Sequence, residues 1–331
     1  MDFYQMNFYQ KRSSAGGAVL APMAGYTDAP FRKLCREFGS LWAVTEMVSA
    51  KALVSGDLRG IDIGEPYPGE PGLVIQVFGG EPEVVAQGGR ILYDKYRPAA
   101  LDINMGCPVK KVTGKSCGSK LLQDPARAAA IVKSLREAVP VPVSAKMRLG
   151  YDRVNAVEVA RGLEEAGAAL IAVHGRTAAQ KYAGEADWEA IREVAEAVKV
   201  PVVGSGDVRT KEQFDRYRSW GLGVMIGRAS HGRPWIFAEL RGEAPPTPLE
   251  IARLAYRHSA MNCDWYGEPR AMLPMRSQLL KYFAGFSAFA EMRPDIIRLT
   301  TLADLHLLIL KHLGVDPLEG VAPSSLSLKA A

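Results

Sequence analysis

Eight short runs of apolar and β-branched residues recur down the first 227 positions, and nothing else in the sequence constrains the fold as tightly. They are VLAPM at 19–23, WAVTEM at 42–47, LVIQVF at 73–78, AALDIN at 99–104, PVSAKM at 142–147, ALIAVH at 169–174, PVVGSG at 201–206 and GVMIG at 223–227. Each is the length of a buried strand. Most pairs are separated by a segment of helical periodicity. DPARAAAIVKSLREAV, for example, has Asp124 at the cap position and Pro125 in the first turn. Strand then helix, eight times over, predicts an α/β chain folded as a (β/α)8 TIM barrel. A doubly wound parallel sheet is the alternative that the same alternation allows.

With 331 residues, 48% of them hydrophobic, the chain can bury one large core or two ordinary ones. The composition changes at RGEAPPTPLE, where Pro245, Pro246 and Pro248 interrupt any helix and mark a linker. Beyond it, IARLAYRHSAMNCDWYG, LPMRSQLLKYFAGF and PDIIRLTTLADLHLLILKHLG read as three helical stretches of a small bundle, the last stopped by Gly314. The expected division is an N-terminal extension over 1–16, a barrel over 17–243 and a helical region over 244–331. The short repeat FYQMNFYQ reads as a frayed start. The net charge of +5 permits a polyanionic partner but is too small to bind nucleic acid by charge alone. Nine basic and nine acidic residues follow Gly242, so the excess resides in the barrel. Cys35, Cys107, Cys117 and Cys263 are scattered with no CxxC, which argues against a disulfide framework and a zinc site. No apolar run approaches membrane-spanning length and no secretory leader is visible, so a soluble cytoplasmic protein without metal or obligate protein partner is expected.

A barrel assembles its active site at the C-terminal ends of its strands. The eight runs end in or near Pro22-Met23-Ala24-Gly25, Glu46, Gln76, Asn104 with Cys107, Lys146 with Arg148, His174-Gly175-Arg176, Gly206-Asp207 and Gly227-Arg228. So many polar side chains at corresponding ends are hard to explain as core filling. The glycine-rich ends of runs seven and eight suit a phosphate, with Arg228 adding a charged fork. Lys146 and Gln76 offer donors to a planar heterocycle, and His174 a ring or phosphate contact. GKS at 114–116 is no P-loop, because Val109 stands where its first glycine belongs, and GSGDVR lacks the third glycine of a dinucleotide fingerprint.

APMAGYTDAPFR, DINMGCP followed by KKV and GS-LL, AKMRLG, VHGRT, GSGDV and MIGRASHGRPWIF, in this order over residues 17–240, resemble the tRNA-dihydrouridine synthase family of bacteria. The resemblance implies an FMN-containing barrel with a helical tRNA-binding region, an oxidoreductase that reduces uridines of tRNA with NADPH. It implies that Pro22, Met23 and Ala24 contact the flavin through backbone and that Gln76 and Lys146 bind its ring, with His174 close by. Ser205, Gly206, Asp207, Gly227 and Arg228 would take ribityl and phosphate, Asn104 and Arg176 would face the uracil, and Cys107 would donate the proton. Ser205 stands where the family usually has Asn, and Lys281 where an aromatic is common.

Reduction of uracil at C5=C6 needs a hydride at C6 and a proton at C5. A free thiol titrates at about 8.5 and keeps its proton at neutral pH. Cys107, between a glycine that lets backbone approach a flat ring and a proline that stiffens the loop, suits the acid. Lys110 and Lys111, with Lys115 and Lys120, are sited to meet RNA phosphates, as is Arg276 among the aromatic residues of the helical region. Two rivals share parts of this pattern: a flavin barrel acting on a free pyrimidine, and an RNA-binding protein on a decayed barrel with an idle Cys107.

Overall fold

The computed structural model describes residues 7–13 and 16–319. Its eight strands are β1 Ala18–Leu20, β2 Val44–Ser49, β3 Val74–Phe78, β4 Ala100–Met105, β5 Val143–Arg148, β6 Leu170–His174, β7 Val202–Ser205 and β8 Gly223–Ile226. All pair in parallel in the order β1-β8-β7-β6-β5-β4-β3-β2. A bridge between Leu20 and Ala43 joins the two ends of that order, so the sheet closes and the doubly wound alternative falls. Successive side chains of a strand face opposite sides of the sheet. Leu101, Ile103 and Met105 accordingly pack outward with Ile131 and Leu135 of the helix Pro125–Ala138, where the Asp124 side chain accepts from Arg127 N at 3.1 Å. Ala100, Asp102 and Asn104 face the lumen. On β5 the lumen positions are Ser144, Lys146 and Arg148, so the interior grows polar toward the C-terminal end.

The lumen is closed at its other end by a helix, Phe8–Ser13. Tyr9 is 1% exposed there, packed with Val19, Val74, Ala100 and Val203 and edge-on to Trp42. The reading of the repeat as a frayed start is therefore wrong for its second copy, 8–10, because the aromatic residues fill a barrel end that no strand residue covers. The first FYQ copy, at 3–5, lies outside the described residues.

After β8 the chain forms a 3-10 turn at Arg228–Ser230 and the short helix Ile236–Glu239 before the linker. The next helix, Pro248–Tyr266, opens on a capping box between Thr247 and Glu250 with Pro248 in its first turn. Glu268–Tyr282, Phe289–Ile296 and Leu302–Leu313 follow, the last ended by Gly314 with φ 66°. The single stretch expected over 294–314 is thus two helices: Thr301 and Asp304 form a second capping box that restarts the chain in a new direction. These helices share a core of Met272, Met275, Leu279, Phe283, Leu305 and Ile309 that also takes in Ala29, Leu34 and Trp235 from the barrel side. Arg257 forks onto Glu37 at 2.7 and 2.8 Å across the same seam. Among the described residues, no helix is long and apolar enough to cross a membrane and no group of His, Cys, Asp or Glu is disposed to hold a metal ion.

Candidate active site

A cavity of about 500 Å³ opens at the C-terminal ends of the strands, within the size range of cofactor sites. Pro22, Met23, Ala24, Gln76, Asn104, Cys107, Lys146, His174, Ser205, Gly206, Asp207, Gly227 and Arg228 all line it. Strand register is what gathers them: Gln76 pairs with Asp102, Asn104 with Lys146, Arg148 with His174, and His174 with Ser205.

The loop that carries the thiol is held from three sides. Gly106 N and Cys107 N donate to Asn104 Oδ1 at 3.2 and 3.0 Å, and Cys107 O accepts from both Ser119 N and Ser119 Oγ at 3.0 Å. Arg148 Nε donates to Gly106 O at 2.9 Å. A Cβ on Gly118, whose φ is +60°, would lie 2.7 Å from Cys107 O, so only glycine lets the two loops meet. Opposite, the turn after β1 is fixed by Thr27, whose Oγ1 accepts from Met23 N at 3.0 Å, and by Glu46, whose Oε2 accepts from Gly25 N at 2.8 Å.

The cavity is electropositive. Burial, then Arg148, pushes the Lys146 ammonium down to about 8, with Asp102 opposing, and that ammonium makes no hydrogen bond or ion pair with the described residues. Burial, with Lys146, Arg148, Arg176 and Arg228 nearby, pushes His174 down to about 2, so its imidazole is neutral at any working pH. Asp207 is the acidic member of the lining. Burial would raise its carboxyl, but Arg176 at 2.6 Å, the Ala186 N–H at 2.9 Å and Arg228 at 3.2 Å hold it below the usual range. Its left-handed backbone, φ 58°, turns that carboxylate toward these partners.

The other four residues assigned to substrate contact do not line the cavity. Arg176 is buried behind the wall, bonded to Ala183 O, Gly184 O and Asp207, and does not line the cavity. Lys110 and Lys111 are exposed on the short helix Lys110–Thr113 that follows Cys107, outside the cavity and on its thiol side. Arg276 is on the helix Glu268–Tyr282, its Nε on Leu299 O at 2.7 Å. Sequence reasoning assigned no role to Ser119, to Tyr182, whose ring lies 4.4 Å from the Arg228 guanidinium, or to the stacked pair Tyr26 and His231, 3.8 Å apart at the cavity wall. Nothing in the spacing marks these: Tyr26, Tyr182 and His231 reach the cavity from loops, and Ser119, on the 3-10 turn Gly118–Gln123, bonds the thiol loop without lining the cavity.

The family model described as "Dihydrouridine synthase (Dus)" matches residues 19–311. The chain belongs to the dihydrouridine synthase family. It is 41% identical over 273 residues to a "Probable tRNA-dihydrouridine synthase" of Rhizobium leguminosarum bv. phaseoli, covering 81% of this chain and 86% of that one. It is 39% identical over 296 residues to tRNA-dihydrouridine synthase B of Pseudomonas aeruginosa, covering 85% and 88%. Among solved structures, histamine dehydrogenase from Rhizobium sp. 4-9 superimposes with a TM-score of 0.52 at 13% identity, over 79% of this chain and 48% of that one, a likeness of fold alone.

Proposed function

We propose that this protein is a tRNA-dihydrouridine synthase that uses FMN, re-reduced by NADPH, to reduce the C5=C6 bond of uridines in tRNA. The observation that carries the reading is that Cys107 and the unpartnered Lys146 ammonium line one electropositive cavity in a chain of this family. The residues fit a flavin mononucleotide. Lys146 and the Gln76 amide would face its ring, and Met23 with the backbone of Pro22 and Ala24 would cover it. Ser205, Gly206, Gly227 and Arg228 would hold ribityl and phosphate, with the charge of Asp207 already balanced by two arginines. When bound, the flavin supplies the hydride that reaches C6.

The chain supplies the rest. Cys107 Sγ holds the proton that goes to C5, and the thiolate left behind lies near the Arg148 guanidinium, within reach of its charge. The clamp of Asn104, Ser119 and Arg148 on the backbone fixes where that proton is delivered. Asn104, which lines the cavity, would orient the uracil. The target uridine must leave its stack to enter, and the exposed Lys110 and Lys111 beside the mouth, with the helical region and its Arg276, would grip the surrounding phosphates. The test is Cys107→Ala assayed on tRNA from a strain lacking this protein, with dihydrouridine read by mass spectrometry. The variant should keep its flavin absorbance while its rate falls by about two orders of magnitude or more. A fully active variant would remove the thiol from the mechanism.

A further inference from the structure

Beneath the cavity, an unbroken line of hydrogen bonds runs through the barrel lumen. Tyr9 OH lies 2.8 Å from Ser144 Oγ, Ser144 Oγ donates to Asp102 Oδ1 at 2.5 Å, and Gln76 Nε2 donates to Asp102 Oδ2 at 2.7 Å. Gln76 Oε1 then accepts from Asn104 Nδ2 at 2.8 Å, and Asn104 Oδ1 accepts from Gly106 N and Cys107 N. Asp102 and Ser144 are 3% and 1% exposed, so no water substitutes for these partners.

The direction of this line follows from one residue. An ionised carboxylate can only accept, so both neighbours must donate to it. The Gln76 atom facing Asp102 is therefore nitrogen, the one facing Asn104 is oxygen, and the Asn104 atom left for the loop is oxygen, which the two loop N–H groups require. On the other side Ser144 spends its proton on Asp102, so Tyr9 must donate to Ser144. Every bond points toward Asp102.

We propose that Asp102 is a positioning residue for the reaction: as the acceptor that ends the relay, it fixes the amides of Gln76 and Asn104 and, through Asn104, the backbone of the loop that carries Cys107. Burial pushes its carboxyl up to about 6, against the pull of Ser144, Gln76 and Lys146, which leaves it ionised above neutral pH. The catalytic meaning of the loop rests on the proposed role of Cys107; the relay itself does not.

Two substitutions separate the acceptor from the charge. In Asp102→Asn the side-chain oxygen still accepts from Gln76, because the hydroxyls of Ser144 and Tyr9 turn to take the new N–H. In Asp102→Leu the Gln76 amide loses its acceptor. On the full-length flavin-loaded protein, Asp102→Leu should speed iodoacetamide labelling of Cys107 by about tenfold, roughly the worth of one buried hydrogen bond, and lower kcat on tRNA with KM unchanged. Asp102→Asn should restore both toward wild type. A folded, flavin-loaded Leu variant with wild-type labelling and kcat would overturn the proposal.

Should the Leu variant not fold, reversing the relay gives the same decision. Asn104→Asp alone sets two carboxylates across one amide and should lower the urea midpoint at pH 8. Adding Asp102→Asn lets the Gln76 amide turn over, so that its two bonds run the other way and every bond points toward residue 104, and should recover the midpoint. Simple addition of the two losses would count against the relay. Labelling and unfolding do not depend on which group protonates C5, so this proposal and the assignment of the acid fail separately.

Discussion

At the scale of single residues, the chemistry is carried by side chains whose backbone is fixed by others. Cys107 is held at its N–H by Asn104 and at its carbonyl by Ser119, twelve residues on, and the two loops meet only because Gly118 has no Cβ. Gly118→Ala should therefore cost about 1 kcal/mol or more from the left-handed backbone alone. The methyl contact 2.7 Å from Cys107 O adds displacement of the thiol, so dihydrouridine formation should fall further than stability does. Urea unfolding beside a tRNA assay checks the pair of effects; equal, small losses would mean the loop tolerates the methyl. The cavity-lining residues expected from strand ends were legible because alternation along a strand is strict: Lys146 and Arg148, or Asn104 beside the buried Asp102, sit two apart on one face. Arg176 was not, because it follows the last strand residue, where period-2 reasoning stops.

At the scale of elements, the helix Ala29–Glu37 joins the cavity to the helical region. Asp28 caps it, accepting from Phe31 N at 2.9 Å, yet its carboxyl is buried and pushed up to about 7, with Glu46 adding to the rise and Phe31 N–H and Arg32 opposing. A carboxyl whose folded value lies above its unfolded value of 3.8 favours the folded state below about pH 4, and that contribution is lost as pH rises through about 7. Asn caps a helix as well as Asp and carries no charge to desolvate. Asp28→Asn should stabilise the protein by roughly 1 to 3 kcal/mol at pH 8, and the gain should fade at pH 4. Urea midpoints at the two pH values test this, and a gain that does not vary with pH would show that desolvation is not its source. The buried Arg32, bonded to both oxygens of Glu70 at 2.9 Å and to Thr27 O and Glu65 O, locks the same helix to the loop before β3. No sequence pattern announced that pairing, since 38 residues separate the partners.

At the scale of the whole molecule, the barrel does not cover its own surface. The core of the four C-terminal helices includes Ala29, Leu34 and Trp235, so a chain ended at Gly242 would expose an apolar face. Such a truncation should aggregate or bind a hydrophobic dye, and the full chain should unfold in urea as one transition; a soluble, cooperative barrel on its own would show the two regions to be independent. The Arg257–Glu37 fork, partly exposed, adds at most about 1 kcal/mol to this seam. What the sequence by itself determined is local: the eight strands, the caps at Asp124 and Gly314, the cavity-lining polar ends and the family motifs follow from periodicity and short-range chemistry. Only the tertiary structure decided that Tyr9 closes the barrel, that Arg176 serves the wall and not the cavity, and that Asp102 terminates a relay. Each of those depends on residues brought together across tens of positions, where burial and hydrogen-bond satisfaction are properties of the closed barrel and of no single segment.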